Sequence, residues 1–375
     1  MTSRNEHAAL LLVLLGLAVV TSIAETSAQR RTTPTQTLQA AAQRAVEDQV
    51  VRRLGDAIGV GAPLRLDQHD TYPPVAASLS DFSPTTWELE PADITKPLMP
   101  GDYSLSVLGF CTQWSLHLPG QGLGYKLGRI EGRDARAIGV LLTRGVEQAV
   151  PPRQLNAAAW RIQGGVPPES WPPRDRALAD KLISEYSREL NTDYVWEVVA
   201  GYAQARSVAA LPPFPTLLAR LGPAGEAVLE ARRARSVLSN KTLAIERMPD
   251  YLYQRDRLPR TLTPPPGEPP SPWSEIQPGV FARLTIVRGN MGINTLDLRV
   301  TPRAVARVES PTIAFVAMSP RLVSNNVSAV TLGGVLGWLG HLGDEYLNPL
   351  IGYPIGHPAQ ALILVPAYPH LGIRG

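Results

Sequence analysis

Apolar residues recur along this chain in several rhythms, and each rhythm predicts a different element. Ala8 to Val20 is an unbroken apolar run with Arg4 before it and small residues after it, at Ser22-Ile23-Ala24 and Thr26-Ser27-Ala28. That is the pattern of a secretory signal peptide, and the run is too short for a comfortable membrane span. Leu38, Ala42, Val46, Val50, Leu54 and Ile58 then return every four residues, which predicts an amphipathic helix closed by Gly59 and Gly61. Residues 62–100 lose this period and are rich in Pro and Ser, so they are expected to be extended and packed over other structure. From Tyr103 the polarity alternates, with Leu105 and Val107 set against Ser104 and Ser106, predicting a strand that leads into Gly109-Phe110-Cys111.

Between Arg133 and Met248 the period is helical. Arg133 to Arg144 carries Ile138, Leu141 and Leu142 before Gly145. Pro152 to Gln163 ends at Gly164-Gly165, Pro173 to Leu190 follows, and in Asp193 to Val208 the residues Tyr194, Val198 and Tyr202 are spaced by four. Pro223 suits the first position of a helix over Ala224 to Leu238. Val280 to Arg288 and Gly292 to Val300 alternate in polarity around Gly289-Asn290 and predict a β-hairpin. The expected class is therefore α+β: a mainly helical central domain, an irregular strand region before it, and a β-hairpin-containing C-terminal portion. The expected divisions are a signal peptide (1–28), an N-terminal helix and Pro-rich extended segment (29–100), and the helical domain with the Cys111 strand (101–258). A Pro-rich linker or strap (259–273) and a Gly/Pro-rich C-terminal region (274–375) follow.

Composition sharpens the boundaries. Many of the 36 prolines fall in clusters, such as Pro151-Pro152, Pro172-Pro173, Pro212-Pro213 and Pro264 to Pro266, and each cluster marks where an element ends because proline is excluded from a helix interior. The formal charge is +3, and loss of Arg4, Glu6 and Glu25 with the signal would make it more positive by one. Arg232, Arg233 and Arg235 are preceded at helical spacing by Glu226 and Glu230, so they read as an ion-paired helix surface and not as a nucleic-acid face. No nucleic-acid partner is expected, and no membrane span once the signal is cleaved.

Most catalytic patterns are missing. No two histidines after the signal stand at ligand-like spacing, and His341 with Asp344 and Glu345 reads more easily as a helix end than as a metal site. Gly122-Leu123-Gly124 lacks the Lys and Ser/Thr of a phosphate loop. Glu185 and Glu189 adjoin Arg188 on one helix surface, and Trp160, Trp171 and Trp196 fit core packing better than a stacking platform. No cofactor and no metal are expected. The glycines of segment 333–343 permit close packing against another surface.

Cys111 is the single cysteine of the chain. An exported protein usually pairs its cysteines, and here no intramolecular partner exists. Three readings stand side by side: a buried passive thiol, an intermolecular link, and a reactive group.

The order Gly109-Phe110-Cys111, Gly122-Leu123-Gly124-Tyr125, a helix with Ile138 and Leu141-Leu142, then Gln154-Leu155-Asn156-Ala157-Ala158-Ala159-Trp160 resembles thioester domains of bacterial surface adhesins. It is also similar to a poorly characterised group of exported bacterial proteins; the likeness covers about residues 102–165. The resemblance implies that the Cys111 thiol condenses with a carboxamide on the Trp160 helix and that the product acylates an amine on a host surface. The family's Gln lies four residues before the Trp, where this chain has Asn156; Gln154 lies six before it. Two helical positions differ by about 200°, so Gln154 and Asn156 cannot both address Cys111. Cys111, Gln154 and Asn156 are the candidate site residues. The favoured function is an exported bacterial cell-envelope or extracellular binding or structural protein whose partner is an envelope or extracellular protein or surface ligand. The alternative is a covalent adhesin or thiol-dependent enzyme.

Overall fold

The computed structural model describes residues 62–66, 71–75, 79–114, 116–191, 193–208, 212–243, 247–248, 251, 261–264, 266–267, 269–302, 304, 331–338 and 349–368. The signal peptide, the helix expected over Leu38 to Ile58, and His341 with Asp344 and Glu345 lie outside these residues. Two compact units divide the chain, one containing Asp193–Arg233 and the other Pro63–Thr192 with Ala234–Gly375.

The larger unit is organised by one sheet of eight strands: β1 (Thr85–Trp87), β2 (Gly101–Cys111), β3 (Tyr125–Arg129), β4 (Ser274–Gln277), β5 (Val280–Thr285), β6 (Ile293–Val300), β7 (Leu350–Pro354) and β8 (Leu362–Pro366). The order is β3-β7-β8-β2-β6-β5-β4, antiparallel throughout, with β1 parallel to β2. The sheet curls into a nearly closed barrel. Its two ends are joined by the segment 71–75, where Thr71 bridges Gly128 and Pro74 bridges Ser274. Across the interior, a Cβ on Gly352 of β7 would lie 2.7 Å from Leu284 of β5 and 3.1 Å from the Tyr125 ring of β3. Strands that are not neighbours in the ladder thus touch through the middle.

This corrects the expected fold class. The α+β reading with a mainly helical central domain fails because 38% of the structure is helix and 25% strand, and strands from residues 85–129, 274–300 and 350–366 build one sheet. The helical stretch is an insertion between β3 and β4. The sequence misses this because β3, β7 and β8 are short: β7 and β8 are buried at every position and therefore show no alternation.

Helix positions follow their local signals more closely. In the larger unit, α1 (Ala135–Glu147), α2 (Pro152–Gln163), α3 (Pro173–Ile183) and the short α4 (Ser187–Leu190) succeed one another. α2 starts on Pro152, whose fixed φ and missing N–H suit a first turn, and stops at Gly164. α1 and α2 pack closely because Gly145 has no side chain: a Cβ there would lie 2.1 Å from Leu155 Cδ2. The hairpin forms with Val280 paired to Val300 and Thr285 to Thr295. Val280, Ala282 and Leu284 alternate inward with Leu296, Leu298 and Val300. The Pro-rich segment is pinned at two described points: the Leu262 N–H donates to Leu118 O of the loop after β2 at 3.0 Å, and Ser271 Oγ accepts the Tyr125 N–H of β3 at 2.8 Å. The composition predicts a stiff extended chain; the described Pro266 and Gly267 lie in a turn.

In the smaller unit, α5 (Tyr194–Val208) and α6 (Phe214–Arg220) precede α7 (Pro223–Leu238), of which the part up to Arg233 belongs here. The Tyr202 ring meets Phe214 at a 47° tilt with centroids 4.8 Å apart, and its hydroxyl donates to Pro212 O. Trp196 is 67% exposed.

Candidate functional site

Cys111 is the last residue of β2, and strand geometry decides where its side chain goes. Cys111 pairs with Leu362, Leu362 with Gly352, and Gly352 with Leu127. Directly paired residues share a face of the sheet. The Gly352 face meets Leu284 and Tyr125 inside the barrel, so the thiol points into the barrel interior as well. Cys111 is 1% exposed, and burial pushes its pKa well above the ordinary thiol value. Tyr125, whose hydroxyl donates to Gln360 O at 2.8 Å, is shifted upward by its own burial and then by the nearby Cys111. A thiol that resists ionisation in an apolar cavity is a poor nucleophile.

The backbone of Cys111 is held from two sides. Its N–H donates to Asn290 Oδ1 at 3.2 Å, and its carbonyl accepts the Trp160 indole N–H at 2.8 Å. The second bond brings α2 to the end of β2, so the structure unites Cys111 with the helix that carries the other two candidate residues.

Those two part company on the helix. Asn156 lies one turn before Trp160, on the same side, is 1% exposed, and its Oδ1 has no hydrogen-bond partner among the described residues. Gln154 turns elsewhere: its Nε2 lies 3.5 Å from Asp175 Oδ1. Asp175 also receives Arg161 Nη1 at 2.6 Å, and Arg161 Nε donates to Leu238 O at 2.9 Å. Arg161 is 0% exposed, and burial lowers its pKa before the Asp175 carboxylate partly restores it. Gln154 therefore belongs to a buried polar network on one side of α2, and Asn156 to the β2 side.

Sequence reasoning did not find Asn290, Asn294 or the Arg161–Asp175 pair. Asn294 organises the hairpin loop: its Oδ1 accepts the N–H groups of Val287, Arg288 and Gly289 at 2.9–3.1 Å, and its Nδ2 donates to Gly289 O and Gly292 O. Gly109 makes room for that loop, because a Cβ there would sit 3.0 Å from Asn294 Nδ2 and 3.2 Å from Gly289 O. The Gly289-Asn290 signal marked a turn; nothing local marked it as the support of a cysteine 179 residues away.

Trp160 and Trp171 are buried, the Trp171 indole donating to Val166 O at 2.7 Å. Among the described residues, no three His, Cys, Asp or Glu side chains gather as metal ligands would, and no helix is long and apolar enough to cross a membrane. No family model matches the chain, and no curated protein or solved structure matches it either.

Proposed function

We propose that this chain is an exported bacterial binding or structural protein of the cell envelope or exterior, in which Cys111 is a packed member of the barrel core. The export part of the reading rests on the signal-like run from Ala8 to Val20, and one observation carries the role of Cys111: the thiol faces the barrel interior at 1% exposure, with its pKa raised by burial. Its partner is an envelope or extracellular protein or a surface ligand. The test is thiol accounting. Native protein should stay unreactive to a disulfide reagent, yield one thiol per chain after denaturation, and have the full mass of the sequence that follows its signal cleavage site. A rapidly titrating native thiol would refute a packed role.

The Asn156 Oδ1, buried without a hydrogen-bond partner among the described residues, supports a second reading. In it the Cys111 sulfur attacks the Asn156 side-chain carbonyl, ammonia leaves, and a thioester remains; an amine then attacks that carbonyl, forming an amide and freeing the thiol. This linkage would make the chain about 17 Da lighter by loss of ammonia. Methylamine would add mass and release a thiol, and both effects would vanish in Asn156→Ala while surviving in Gln154→Ala. A full-mass chain inert to methylamine excludes this chemistry.

A further inference from the structure

The barrel closes through a weak seam. β3 and β4 are the ends of the strand order, and segment 71–75 lies between them, with the Tyr72 N–H donating to Leu127 O at 2.8 Å and the Val75 N–H to Trp273 O at 2.9 Å. Pro73 and Pro74 have no N–H to add to this ladder. Beside it, the buried Ser274 hydroxyl has no partner among the described residues.

Residues 79–84, which lead into β1, are held against β2, β5 and β6 by a polar latch. Arg299 of β6 grips Asp102 of β2 with two bonds of 2.7 and 2.6 Å and reaches Asp81 with a third of 2.7 Å. The Ser83 N–H donates to Asp102 Oδ2 at 2.9 Å. Arg283, itself paired to Asp297 at 2.7 Å, lies 4.8 Å from the Trp273 ring and 5.9 Å from Phe82, and Phe82 meets Trp273 edge to face at 4.8 Å. Among the described residues from 71 to 88 none is buried, whereas Leu64 before them and Leu89 after them are. β1 is fixed by its ladder to β2; before it, residues 79–84 meet the sheet through the ion pair of Asp81, the Ser83 N–H and the Phe82 ring.

We propose that residues 71–75 and 79–84 form one releasable clasp at the β3–β4 seam, latched at Arg299 and hinged on β1. Opening it leaves the facing edges of β3 and β4 unpaired and bares Trp273, while β2, β5 and β6 keep their ladder. Asp81 is the exposed jaw of the latch, its side chain 80% accessible, so the hold is sensitive to salt.

Amide hydrogen exchange on the full chain tests the clasp. The Tyr72 and Val75 amides should exchange at least about tenfold faster than those of Leu296 and Leu298 in β6, as expected of a local opening. Asp81→Asn should speed Tyr72 and Val75 together by about two- to fivefold, the range of an exposed ion pair, and leave Leu296 and Leu298 unchanged. Raising salt from about 0.05 to about 1 M should do the same to the parent and add little to the variant. Phe82→Leu, which removes the aromatic contact, should repeat the pattern. The clasp is refuted if Tyr72 and Val75 are as protected as β6. It is equally refuted if Asp81→Asn alters only residues 81–83, or if either variant speeds β6 in step with the seam.

Discussion

At the scale of single residues, burial decides chemistry. Cys111 is chemically the most versatile side chain in the sequence, and the barrel interior removes the solvent its thiolate would need. Cys111→Ala should cost about 1–2 kcal/mol, the price of a small cavity, in urea denaturation, with binding retained. Arg161 is the opposite case, a charge that must be buried with its partner. Arg161→Ala should cost about 3–5 kcal/mol because Asp175 is left in the interior without its cation. Arg161→Lys should recover only part of this, since an ammonium cannot address both Asp175 and Leu238 O with a planar fork. Unfolding midpoints of the two variants check the pair. Nothing local in the sequence singles out Arg161, and only the fold reveals its partners.

At the scale of elements, local signals and close contacts act together. The ends of α2 are written in Pro152 and Gly164, but its depth against α1 rests on Gly145. Gly145→Ala places a methyl group against Leu155 and should cost about 1–3 kcal/mol through overpacking. Leu155→Ala by itself opens a cavity; combined with Gly145→Ala it should cost less than the two losses added, because the new methyl occupies vacated space. A double-mutant cycle in urea measures this coupling. The strands obey a different rule. β5 and β6 were readable because one face meets solvent, while β7 and β8 are apolar at every position and carry no period.

At the scale of the whole molecule, charge holds together strands that lie far apart in the chain. Arg299 hydrogen-bonds Asp102 and holds its carboxyl below the usual range; a second, smaller contribution is the Ser83 N–H. A depressed folded pKa means that the folded state binds its proton less readily than the unfolded chain. The resulting stability is present above about pH 4, the ordinary carboxylate value, and is lost as pH falls through the lower folded value. Arg299→Gln should therefore be less stable than the parent at pH 7, and the two should converge as the pH is lowered below about 4. Urea midpoints across that range provide the check.

By itself the sequence determined the helices that begin near Arg133, Pro152, Pro173, Asp193 and Pro223 and the hairpin of Val280 to Val300, but neither α6 nor the break between α3 and α4. The elements it determined follow from side-chain period and from Pro and Gly, which act within a few residues. It also set the Asn156 and Gln154 faces apart, because helical rotation is local. Only the tertiary structure decided that strands on either side of the helical stretch share one barrel, that the thiol turns inward, and that Asn290 and Trp160 hold its backbone. Those outcomes depend on hydrogen bonds and packing between residues from 49 to more than 200 positions apart, and no short-range pattern encodes such pairings.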